Sequence, residues 1–296
     1  MPSILKKKDD NKNILLEYVK LMRPKQYIKN GFVLAALIFS NNILNFPLML
    51  KSILSFVAFC IISSSAYILN DILDIEKDKM HPKKCNRPLA SGTIEKKGAI
   101  LLGIVLVLLS IVLSLFIHKN LCIIMLLYLF NNIIYSFKLK NIILIDVFSI
   151  SIGFILRVCA GSIAIEVSLS SWIILCTFFL SLYLGFGKRK KEISLLKDEA
   201  SSHRKILKEY DEENLNQMMS ISLSATIVCY SLYSASNIYN SNMIFTTIFV
   251  VYGVLRYNYI VNLGDEGNPT DVVLKDKSLK LCVLLWVITC IIILSI

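Results

Sequence analysis

Residues 98–117 read GAILLGIVLVLLSIVLSLFI, twenty residues without one charge. At about 1.5 Å per residue, a helix of that length is roughly 30 Å long, the thickness of a bilayer's hydrocarbon core. Working outward from this run, polar clusters separate eight more apolar stretches at 28–46, 50–70, 120–137, 142–164, 169–187, 215–236, 242–261 and 279–296. The 296-residue chain is 55% hydrophobic and only 18% charged, with a mean hydropathy of +0.64, which excludes a water-soluble globule. The expected fold is an all-α integral membrane protein, a bundle of nine transmembrane helices.

Charge supplies an independent check, because Lys and Arg of short loops collect on the cytosolic side. With the N-terminus cytosolic, 28 of the 32 Lys and Arg fall on inner segments, and only Lys51 and Lys119 fall on outer ones. Arg157 and Arg256 lie in or near spans. One span more or fewer would scramble this segregation. The net charge of +11 is therefore largely a topology signal and not the footprint of a nucleic-acid partner. Lys6, Lys7 and Lys8 lead into the polar stretch Asp9 to Asn13, so no cleavable signal peptide is expected. Seven of the eight cysteines sit in apolar runs, no C-x-x-C occurs and the three histidines are scattered, which points away from disulfide, zinc and haem frameworks. The expected organisation is a cytosolic segment 1–27 and one membrane domain 28–296, with cytosolic loops 71–97 and 188–213. The plasma membrane, with the polar chemistry facing the cytosol, is the expected location. A homo-oligomer is left open.

The second run ends in Asn70-Asp71-Ile72-Leu73-Asp74-Ile75-Glu76-Lys77-Asp78. At about 100° per residue, Asp71, Asp74 and Asp78 fall within roughly 60° of arc on a continued helix. Neighbouring carboxylates repel one another, and a hard divalent cation is the natural reason to gather them at a membrane mouth. Magnesium takes a few carboxylates and completes its shell with substrate phosphates and water. A solvated, acid-capped helix end is the bland alternative, but Asn-Asp closing an apolar run has to be paired or buried. Directly downstream, His81 to Gly92 form a non-helical loop carrying Lys83, Lys84 and Arg87. Cations beside a magnesium stripe are what a pyrophosphate requires.

N-D-x-x-D-x-x-x-D at the end of the second of nine helices, followed by N-R-P-L-x-S-G, resembles the UbiA superfamily of intramembrane prenyltransferases over nearly the whole chain. The resemblance implies a magnesium-bound diphosphate at Asn70, Asp71, Asp74 and Asp78 within a helical bundle. Two departures follow. The second D-x-x-x-D motif of the aromatic enzymes is replaced by Gly187-Lys188-Arg189-Lys190-Lys191-Glu192, and their Y-P-x-x-K-R element reads Tyr135-Ser136-Phe137-Lys138-Leu139-Lys140.

These departures resemble one branch, the decaprenyl-phosphate phosphoribosyltransferases. The shared elements are Arg23-Pro24-Lys25-Gln26-Tyr27-Ile28-Lys29-Asn30, Y-S-x-K-L-K followed by Asp146, G-x-x-x-R from Gly153 to Arg157, and G-K-R-x-x-E ending at Glu192. That resemblance implies phosphoribosyl pyrophosphate as donor and a polyprenyl phosphate as acceptor, with Arg23, Lys25, Lys29, Tyr135, Lys138, Lys140, Lys188, Arg189 and Glu192 as substrate contacts. One acidic site amid many cations suits a donor with phosphate at both ends. Asp146 and Arg157 are about 1100° apart on a helix and face one way. A charge at that depth reads as functional or as an ion pair that holds the bundle. The alternatives are an aromatic prenyltransferase and, more distantly, a transporter or lipid-carrier scaffold.

Overall fold

A bilayer offers backbone N–H and C=O no partner, so a chain this apolar can cross it only as helices that satisfy those groups internally. The computed structural model describes residues 13–82, 84–196, 207, 209–236, 240–263 and 269–295, and holds no β-strand among them. Among the described residues, eight helices are long and apolar enough to cross a membrane. In chain order the elements are α1 (Ile14–Met22), α2 (Ala35–Phe39), α3 (Phe46–Leu73), α4 (Ile75–Met80), α5 (Lys96–Ile117), α6 (Lys119–Phe137) and α7 (Ile145–Ile165). They continue with α8 (Ser171–Leu196), α9 (Glu212–Ala235), α10 (Thr247–Leu263), α11 (Pro269–Lys275) and α12 (Lys277–Ser295).

Helix α7 is the centre, packed between α6 and α8 and also against α3. Small residues set its close contacts. A Cβ on Gly185 of α8 would lie 2.4 Å from Val147 Cγ1 of α7, and one on Gly161 of α7 would lie 1.9 Å from the carbonyl oxygen of Val33. Facing outward, α5 exposes Leu101, Ile104, Leu108, Val112, Leu115 and Phe116, an apolar face suited to lipid.

The first expected span, 28–46, is not a long α-helix. Pro24–Leu34 forms a 3-10 helix that runs into the short α2. Arg23 pairs with Asp71 at one end of α3, while Ala36 and Leu37 pack near Leu48 and Met49 at the other. The segment therefore travels the length of α3. A 3-10 turn rises about 2.0 Å per residue, so eleven such residues plus five α-helical ones sum to roughly 30 Å. Lys51 at the far end pairs with Glu166 at 3.3 Å.

Two expected loops also differ. The stretch from Gly187 to Glu192 continues α8 as helix to Leu196, because Lys, Arg and Glu are good helix formers and Glu192 pairs with Lys188 and Arg189 one turn earlier. Residues 197–206 and 208 of the expected loop 188–213 lie outside the described residues. In 71–97 a helical turn, α4, and a 3-10 turn at Lys84–Asn86 replace part of the loop.

Candidate active site

The acidic motif is divided by a helix break. Helix α3 stops at Leu73, Asp74 leaves helical geometry with φ −102° and ψ 10°, and α4 restarts at Ile75. The single stripe expected of a continued helix becomes two groups. Arg87 Nη1 donates to Asp71 Oδ1 at 3.0 Å and to Asp78 Oδ2 at 2.5 Å, gathering the carboxylates on either side of the break. Arg23 also pairs with Asp71. Asp74 turns instead to Lys140, whose Nζ lies 2.8 and 2.9 Å from its two oxygens. Burying a charge costs several kcal/mol unless a partner offsets it. Each of these carboxylates has a cation, and Arg and Lys are also the groups that bind phosphate.

The described residues contain no ready cluster of three His, Cys, Asp or Glu for a metal ion. The donor set is nevertheless the right kind. Hard carboxylate oxygens that leave room for substrate phosphates are what magnesium uses, in preference to an all-protein cage.

Asn70, Asp74 and Asp78 open on a cavity of about 550 Å³ between the helices. Its deep wall comes from α6 and α7, where Tyr128, Asn131, Phe154 and Arg157 stand. Arg157 is buried, and each of its three nitrogens donates: Nε to Asn30 Oδ1 at 2.8 Å, Nη1 to the Gly153 carbonyl at 2.7 Å, and Nη2 to the Tyr128 hydroxyl at 2.9 Å. Asn30 is itself fixed by donating to Ser63 Oγ at 3.0 Å. A second cavity of about 470 Å³ has an apolar wall that includes Phe32, Leu180, Phe249 and Trp286. Lys29 and Phe154 belong to both walls.

Of the sequence candidates, the structure brings Arg23, Lys29, Asn70, Asp74, Asp78, Arg87, Tyr135, Lys140, Arg157, Lys188 and Glu192 to the polar cavity. Asp71 stands just behind the wall, covered by its two arginines. Lys25 and Lys138 are exposed and do not reach the cavity. Lys83 lies outside the described residues. Asp146 and Arg189 are also off the wall. Both are fully buried, with Arg189 Nε 2.7 Å from Asp146 Oδ2, because a charge this deep is stable only beside its opposite. Tyr210 completes the pair by donating to Asp146 Oδ1 at 2.8 Å while accepting from Leu144 N. Burial, and then the Asp146 carboxylate, push the Tyr210 phenol above its ordinary range, which keeps it a donor.

Sequence reasoning missed Asn131, Asn132, Lys191, His81 and Asp271 on the wall. Adjacent asparagines inside an apolar run were a readable signal for the first two. Lys191 was one of four consecutive cations, whereas Asp271 offered no sequence signal.

Residues 31–292 match the UbiA prenyltransferase family. The chain belongs to that family. Among its relatives, the decaprenyl-phosphate phosphoribosyltransferase of Mycolicibacterium smegmatis is 33% identical over 291 residues, covering 93% of this chain and 92% of the relative. The protein of the same name from Corynebacterium glutamicum is 34% identical over 296 residues, covering 95% and 88%. A UbiA homologue from Archaeoglobus fulgidus, solved with DMAPP and Mg2+, superposes with a TM-score of 0.71 at 17% identity over 95% of this chain and 99% of its own. At that identity the likeness speaks for a shared UbiA fold.

Proposed function

We propose that this UbiA-family protein transfers the 5-phosphoribosyl group from phosphoribosyl pyrophosphate to a polyprenyl phosphate and releases pyrophosphate. One observation carries the reading. Where the aromatic enzymes would present a second set of carboxylates, this chain turns Lys188 and Lys191 toward the cavity, on the side away from Asp74 and Asp78 in sequence. A donor with pyrophosphate on C1 and phosphate on C5 needs cations at both ends, and a prenyl diphosphate needs them at one. The names carried by the near-full-length relatives support the same choice.

The pyrophosphate would lie at the mouth among Arg87, Lys140 and the carboxylates. Asp71, Asp74 and Asp78 are the residues that would hold magnesium there, and the ion would supply charge neutralisation on the leaving group. The cations of the wall orient the donor and stabilise the charge that develops on the departing oxygen. An acceptor phosphate oxygen, already anionic, attacks C1 from the face opposite the pyrophosphate. The new C1–O bond forms as the old one breaks, so the configuration at C1 inverts and no protein base is required. The lipid tail would occupy the apolar cavity. The mouth would face the cytosol, with the protein in the plasma membrane.

The test supplies purified protein with ribose-labelled phosphoribosyl pyrophosphate, magnesium and polyprenyl phosphate. Label is expected in the organic phase, and its absence with a folded protein would remove the proposal.

A further inference from the structure

The cations that line the polar cavity are not all held alike. Arg23, Arg87, Lys140 and Lys188 each have a carboxylate partner. Lys29 and Arg157 are in no ion pair with the described residues, and Lys29 feels the Asp271 carboxylate of the same wall only through space. Arg157 is 4% exposed, and its hydrogen bonds among the described residues go to the neutral Asn30, Gly153 and Tyr128. The rings of Tyr128 and Phe154 lie 4.8 and 5.3 Å from its guanidinium carbon. Such contacts orient a guanidinium without neutralising it. A buried, oriented and uncompensated charge is expensive, and a bound anion is what would offset it.

Position selects the anion. Gly153, level with the Arg157 guanidinium, is seven residues along α7 from Asp146 in its first turn, or about 10.5 Å along the helix axis. Lys29 and Phe154 also line the apolar cavity. An occupant of this junction therefore has an anionic head on one side and a hydrocarbon on the other.

We infer that Lys29 and Arg157 form the site for the phosphate monoester of the lipid acceptor, with its tail in the apolar cavity. The assignment rests on the phosphoribosyl-transfer reading, in which that phosphate is the nucleophile. Arg157 fixes two oxygens with its planar fork, leaving the third to face the donor's C1. The donor's 5-phosphate has the same chemistry, so the test separates the two.

Farnesyl phosphate serves as probe, titrated calorimetrically into detergent-purified protein without donor. Lys29→Gln removes a side chain that makes no hydrogen bond with the described residues, so it leaves their contacts in place. It is expected to weaken farnesyl phosphate binding about 10- to 150-fold, the equivalent of 1.5–3 kcal/mol for a lost charge-assisted contact. Arg157→Gln should match or exceed that loss, and Arg157→Lys should recover part of it. Farnesol, which lacks the phosphate, should bind wild type and Lys29→Gln alike, and phosphoribosyl pyrophosphate should bind both alike. Unchanged farnesyl phosphate binding in Lys29→Gln overturns the assignment. A selective loss of phosphoribosyl pyrophosphate binding also overturns it, in favour of the donor's 5-phosphate. If wild-type protein transfers no phosphoribosyl label while Lys29→Gln still loses farnesyl phosphate, the site stands and the transfer reading alone falls.

Discussion

Replacing Arg189 by Gln is expected to loosen the bundle without weakening a substrate contact. The Arg189 side chain is 0% exposed, its Nε lies 2.7 Å from Asp146 Oδ2, and it also pairs with Glu192. Without the guanidinium, Asp146 keeps a buried negative charge and the hydrogen bond from Tyr210. Breaking such a pair costs about 3–5 kcal/mol, a large share of the roughly 5–15 kcal/mol that holds a domain folded. The melting temperature in detergent should fall by on the order of 10 °C. Adding Asp146→Asn, which removes the buried charge and leaves Tyr210 an acceptor, should restore more than half of the loss. Thermal unfolding of the four proteins closes the cycle, and the donor KM of the folded fraction provides a second readout. Lys188 on the cavity wall is the contrast. Its side chain is 39% exposed and its carboxylate partner sits 3.9 Å away, so Lys188→Gln should melt like wild type but raise the donor KM about 10- to 150-fold. An Arg189→Gln protein with wild-type melting and a raised donor KM would refute this reasoning.

Other outcomes follow from the same geometry. Asp71→Asn and Asp74→Asn should each abolish turnover in protein that still purifies as a folded species, since the amide keeps the volume and loses the charge, and Asp78→Asn should be milder; normal turnover in either of the first two would remove the proposed metal site. Chelation of divalent cations should stop transfer, and added magnesium should restore it. Gly161→Ala should lower stability by roughly 1–3 kcal/mol, seen as earlier melting, because the new methyl meets the Val33 carbonyl.

The span-length helices from α3 onward were legible because span length and charge segregation are physical requirements of a bilayer and leave a direct mark on composition. The path before α3 was not. Eleven residues of 3-10 helix cover the depth that about fifteen α-helical residues would, and Val33 within that helix lies against Gly161 of α7. In the site, the acidic motif and the basic loop were readable as types of residue, but their pairing was not. A break at Asp74 decides that Asp71 and Asp78 share Arg87 while Asp74 takes Lys140. The cation run after residue 187 misled in one particular. Helical rotation sends Lys188 and Lys191 to the cavity and Arg189 into the core between α7 and α8, so neighbours in sequence have opposite duties. Asp146 was legible as a charge facing the interior, and its partner, distant in sequence, was not.

The central claim is tested most directly with a donor carrying two labels, one on the ribose and one on the β-phosphate of the pyrophosphate, incubated with polyprenyl phosphate and the purified protein. Ribose label should move to the organic phase while an equal amount of phosphate label appears as free pyrophosphate in water, and Asp71→Asn should do neither. Retention of both labels in unreacted donor, with transfer of a prenyl group to an aromatic acceptor under the same conditions, would contradict it.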